Sequence, residues 1–108
     1  MRQILMRVPS AKWREVFKRG GGRCAYCSED LLATFSRYWC ATVDHVLAVA
    51  AGGGDGAENL VLCCPACNGM LSRAGDRKTF EERKAYVLRR REEERVGFEA
   101  WVRELRPE

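Results

Sequence analysis

The sequence predicts a small α+β fold in which a β-hairpin leads into a short helix, with further helices flanking this core on both sides. Three observations carry the prediction. Two cysteine pairs with C-x-x-C spacing, Cys24/Cys27 and Cys64/Cys67, bracket the middle of the chain. Between them lie two strand-like stretches, Ala41 to Leu47 and Asn59 to Cys63, separated by Gly52, Gly53, Gly54 and Gly56. Helix-start signals stand at Ser10, Pro65 and Thr79.

A chain of 108 residues fits one small domain, read here as residues 1–108 with a core over about 23–72. Folding buries a modest share of the surface at this size, so a metal or covalent staple adds needed stability. An apolar fraction of 46% with three Trp, four Phe and three Tyr excludes a disordered chain. No apolar run approaches membrane-spanning length, and the opening residues MRQILMRVPSAKW lack the pattern of a secretory leader. The expectation is a cytoplasmic protein without a membrane segment, whose paired cysteines bind metal rather than form disulfides.

Each element follows from local chemistry. Ser10 caps a helix over about 10–19, with Trp13, Val16 and Phe17 on one face, and Gly20, Gly21 and Gly22 end it. Arg23 to Cys27 form a turn like half of a zinc knuckle. The run LLATFSRYWC, 31–40, has no clear period and is expected to be partly extended and packed. After the hairpin, Pro65 opens a short helix to about Ser72, because its missing N–H has no intrahelical partner there. Thr79 and Glu82 form a capping box that opens a C-terminal helical region over about 79–105. Gly97 is a candidate break near its end, and the stripe Phe98, Trp101, Val102 and Leu105 packs on the domain or on a partner protein, core packing being the simpler reading.

The cysteine spacing points to structural zinc. A C-x-x-C turn sets two thiolates at the separation a tetrahedral ion requires, and two such turns close the shell to water and substrate. Cys40 and Cys63 are left over. Cys63 is expected to face away from Cys64, and both extras are read as buried small hydrophobes.

The net charge of +4 is unevenly spread. Residues 1–28 hold seven Lys or Arg against Glu15 alone, and residues 73–91 hold eight against Asp76, Glu81 and Glu82, while the centre is slightly acidic. Basic flanks around a carboxylate-bearing centre suit a polyanion gripped on both sides, although solvated helix faces carry the same charges.

Asp44-His45, Asn59 and Asn68 lie between or just after the cysteine pairs, and His45 is the sole histidine. Together with the glycine-rich loop, Asn-Leu-Val-Leu and C-x-x-C-Asn, the segment DHVLAVAAGGGDGAENLVLCCPACN resembles the HNH endonucleases, a branch of the ββα-metal (His-Me finger) nucleases. Ala48 stands where that family often has Pro, and Leu71 where it often has Lys. Asn68 occupies the family's third position, which is often His.

The resemblance implies a metal-dependent DNA endonuclease. Asp44 and Asn68 would bind one divalent cation, Mg²⁺ or another such as Mn²⁺, and His45 would act as general base, leaving 5′-phosphate ends. A hard cation favours oxygen ligands, and a neutral imidazole accepts a proton near pH 7. Asn59 would bond across the hairpin loop and fix the orientation of His45. Arg73, Arg77 and Lys78 are candidate phosphate contacts on a DNA substrate, read here as double-stranded. The alternatives are a zinc-stapled module that binds nucleic acid without cutting it, or one that serves protein interaction through the C-terminal helix.

Overall fold

The structure is a computed structural model, and it describes residues 10–47, 52–54, 56–75 and 79–107. Among them, the elements run α1 (Ala11–Arg19), α2 (Phe35–Cys40), β1 (Thr42–His45), a 3-10 turn at Ala57–Asn59, β2 (Leu60–Cys63), α3 (Pro65–Leu71) and α4 (Phe80–Leu105). Mixed helix and hairpin with a cysteine cluster near the core is the predicted class. No described helix is long and apolar enough to cross a membrane.

The hairpin is antiparallel, with Thr42 opposite Cys63, Val43 opposite Leu62, Asp44 opposite Val61 and His45 opposite Leu60. Leu60 and Leu62 on β2 point into the core with Val16 of α1, Tyr26, Leu31, Leu71 of α3 and Val87 of α4. Helix α1 begins where Ser10 Oγ accepts the Trp13 N–H at 3.1 Å. Its aromatic face packs Trp13 edge-to-face with Phe17 (5.2 Å between ring centres) and sets Phe17 tilted against Tyr38 (5.7 Å). The Arg19 guanidinium donates to the Leu60 carbonyl and ties α1 to β2. Gly22 takes φ +73°, and a Cβ there would lie 2.5 Å from Leu32 Cδ1, so only glycine fits this turn into the first cysteine pair.

Four expectations are corrected. The 31–40 run is helical from Phe35, because Thr34 Oγ1 caps it by accepting the Arg37 N–H at 3.1 Å. It is also poorly packed, since Phe35 is 74% exposed and Trp39 50%. Cys40 is exposed rather than buried, whereas Cys63 is fully buried. Helix α4 passes Gly97 unbroken for 26 residues. A mid-helix glycine costs about 1 kcal/mol. The pairs Arg89–Glu93, Arg90–Glu94 and Arg95–Glu99, the last spanning Gly97, together offset it at about 0.3–0.5 kcal/mol each. Finally, Phe98, Trp101 and Leu105 are 62%, 54% and 59% exposed, so the terminal stripe does not pack on the core among the described residues.

Candidate active site and metal centre

The four paired cysteines converge. Cys24 and Cys27 lie in a turn closed by the Ser28 N–H donating to the Cys24 carbonyl at 2.9 Å, and docked on β2 through the Ala25 N–H and Leu62 carbonyl at 2.8 Å. Cys64 is the N-cap of α3, where its Sγ accepts the Cys67 N–H at 3.4 Å and Pro65 follows in the first turn. All four sulfurs lie within 4.8 Å of one another, and Cys27 and Cys64 approach to 3.7 Å. A tetrahedron with Zn–S bonds of about 2.3 Å has sulfur–sulfur edges of about 3.8 Å, so the set fits zinc.

The thiols share protons in the way such crowding requires. Hydrogen bonds from Cys63, Cys64 and Cys67 hold the Cys24 thiol far below its ordinary pKa. The same bonds to Cys24 raise Cys63, Cys64 and Cys67. Such opposed shifts mark thiols that share protons, an arrangement in which a dication replaces those protons. Cys63 stands outside the four-sulfur set, and its Sγ donates to the Cys64 carbonyl at 3.4 Å. From α4, Arg91 Nη1 lies 3.5 Å from Cys67 Sγ and 3.9 Å from Cys64 Sγ, setting a positive charge against the sulfurs.

A second site lies at the other side of α3. Asp44 and His45 at the end of β1, and Asn68 on α3, line one open cleft of about 600 Å³ with Val43, Gly69 and Arg83. Asn59 is not in its wall. Its Oδ1 accepts the Leu47 N–H at 2.9 Å, and its Nδ2 donates to the carbonyls of Leu47 (2.9 Å) and Gly54 (2.8 Å), closing the neck of the glycine loop just beyond His45. Arg73 is exposed and also outside the cleft wall, while Arg77 and Lys78 lie outside the described residues.

The carboxylate of Asp44 is held by two residues that the sequence did not single out. Tyr26 Oη donates to Oδ2 at 2.7 Å, and Arg83 Nη2 donates to Oδ2 at 2.8 Å and to Oδ1 at 3.0 Å. Arg83 Nε also donates to Tyr26 Oη at 3.2 Å, closing a three-residue network. Burial pushes the Tyr26 phenol up, so it stays a donor, and the ring stacks on Phe80 at 5.1 Å. Burial alone would lower the Arg83 pKa, but the Tyr26 bond and the Asp44 charge raise it. A carboxylate offers about four acceptor positions, and these bonds use three, leaving one on Oδ1. With the Asn68 amide oxygen, which no hydrogen bond among the described residues engages, that is an oxygen donor set suited to a hard divalent cation.

Arg83 and Arg91 sit in a basic run that reads as a solvated face. The overlooked signal is Tyr86 and Val87 between them, both buried, which puts the inner face of α4 on that stretch.

The match to known families falls on this geometry. Residues 24–73 match the model of the HNH endonuclease family, from the first zinc-type cysteine to just past α3. Residues 24–73 are similar to an HNH domain. No curated protein and no solved structure matches the chain. The matched segment contains both cysteine pairs, Asp44, His45, Asn59 and Asn68, and it stops short of α4 and of Arg83.

Proposed function

We propose that the protein hydrolyses phosphodiester bonds of DNA with the help of one divalent cation, Mg²⁺ or Mn²⁺. The observation that carries this reading is the single cleft shared by Asp44, His45 and Asn68. Oδ1 of Asp44 and the Asn68 amide oxygen would hold the cation. When bound, the cation neutralises phosphate charge and stabilises the departing 3′ oxygen. His45 accepts the proton of the attacking water, which yields 5′-phosphate ends. Asn59 fixes the loop that follows His45 and so its orientation. Zinc on Cys24, Cys27, Cys64 and Cys67 is structural, since four thiolates leave no open position. Arg73, Arg77 and Lys78 extend the positive surface for the DNA backbone. The whole chain acts as one unit, in a reducing cytoplasm that keeps its thiols available for metal.

Plasmid cleavage tests the reading. Supercoiled DNA incubated with zinc-loaded protein and Mg²⁺ or Mn²⁺ is nicked or cut, and His45→Ala lowers the rate by about 10²–10⁴-fold. Equal cleavage by the two proteins removes His45 from the mechanism. The second reading, a nucleic-acid-binding module that does not cut, is favoured by one observation: Arg83 already pairs with the Asp44 carboxylate. It predicts DNA binding with no divalent-dependent cleavage.

A further inference from the structure

The only charged side chain buried among the described residues is that of Arg83, and it reaches the cleft from α4, outside the segment matched to the HNH family. Its position is fixed at three points, twice on Asp44 and once on Tyr26. Both members of the pair are nearly buried, with side chains 11% exposed, so solvent screens their charges little. Among the described residues, Asp44 is the one acidic side chain lining the cleft, and His45 is the one other titratable group in its wall besides Arg83. The pair therefore sums to zero charge at the place where the proposed cation sits.

From this charge balance we infer that Arg83 makes cation binding conditional on DNA. A neutralised carboxylate and one neutral amide form a weak site for a dication, because the guanidinium repels it at short range. A DNA phosphate entering the same cleft supplies the missing negative charge. Cation and DNA then bind cooperatively, and by linkage each strengthens the other by the same factor. Arg83 is a positioning residue: it acts on the cation through Asp44, holding Oδ2 with Tyr26 and leaving one acceptor position on Oδ1. The free protein stays largely unloaded with respect to the second metal, and the site becomes complete only on its substrate. The inference rests on the assignment of Asp44 as a cation ligand.

The test measures Mn²⁺ binding to zinc-loaded protein by electron paramagnetic resonance of the free ion, with and without a short DNA duplex. His45→Ala serves as the background so that the strand stays intact. In that background Mn²⁺ binds about tenfold or more tightly with the duplex than without it. Arg83→Gln and Arg83→Met, both uncharged, tighten Mn²⁺ binding to the DNA-free protein by about tenfold, the low end of what one adjacent charge does. Arg83→Lys keeps the charge and leaves the DNA-free affinity weak, which separates charge from packing. Uncharged variants that bind Mn²⁺ no more tightly than the parent overturn the inference. If neither folds, equal Mn²⁺ affinity with and without duplex in the parent overturns it alone. Asp44→Asn distinguishes the two levels. Loss of Mn²⁺ binding in Asp44→Asn with no tightening in the Arg83 variants sinks only the role of Arg83. Mn²⁺ binding that Asp44→Asn leaves unchanged sinks the cation assignment and the inference with it.

Discussion

Replacing Tyr26 by Phe removes one oxygen from the centre of the network around Asp44 and leaves the aromatic packing in place. The ring is 1% exposed and stacks on Phe80, so the variant keeps its apolar burial and opens no cavity larger than a hydroxyl. What is lost is a 2.7 Å bond donated to an ionised carboxylate, and the acceptor of the Arg83 Nε–H. A hydrogen bond to a charged group contributes about 1.5–3 kcal/mol. Taking about 2 kcal/mol, a domain of this size loses about 8–16 °C in Tm, at about 4–8 °C per kcal/mol. Urea unfolding of zinc-loaded protein, followed by circular dichroism, measures the difference. In an Asp44→Asn background the acceptor is uncharged, and the cost of Tyr26→Phe falls to about 1 kcal/mol. The pH dependence follows from the raised phenol pKa. A folded-state value above the unfolded value stabilises fully below the unfolded pKa of about 10. That contribution is lost as pH rises from there through the folded value, so the wild-type advantage is flat through neutral pH and shrinks in alkali. A difference below about 0.5 kcal/mol, the range of an ordinary surface substitution, refutes the network as described.

Cys64→Ala removes one zinc ligand and the N-cap of α3 together, so native mass spectrometry finds less zinc and urea unfolding finds lower stability; unchanged metal stoichiometry counts against the four-cysteine site. Arg91→Ala takes a positive charge from Cys64 and Cys67, so protons compete better for the thiolates and zinc is released at higher pH than in the parent, read with a colorimetric chelator; an unshifted release midpoint removes Arg91 from the metal centre.

Much of the fold was legible because its signals are local. The hairpin, its glycine loop, the Pro65 helix and the Thr79 capping box each depend on residues within a few positions of one another, and each formed where the pattern placed it. The helix Phe35–Cys40 was not legible. A run apolar on nearly every side shows no period, and the deciding signal was the Thr34 cap. Gly97 misled because the ion pairs around it together offset its cost. The cleft residues Asp44, His45 and Asn68 were found through a motif, which is a set of short spacings. Tyr26 and Arg83 stand 18 and 39 positions from Asp44, and no spacing rule reaches that far. Arg83 was further hidden by its neighbours, since a buried guanidinium inside a basic run looks like any other member of it.

Helix α4 touches both metal-related regions, Arg83 at the Asp44 carboxylate and Arg91 at the sulfurs. Eight residues apart, they are separated by about 12 Å along the axis and by about 80° around it. A single inserted residue between them would swing one side chain through about 100° and break its attachment. Spacing along this rod is therefore under a stricter constraint than the identity of the solvent-facing residues it carries, and the downstream half, past Arg91, is free of that constraint.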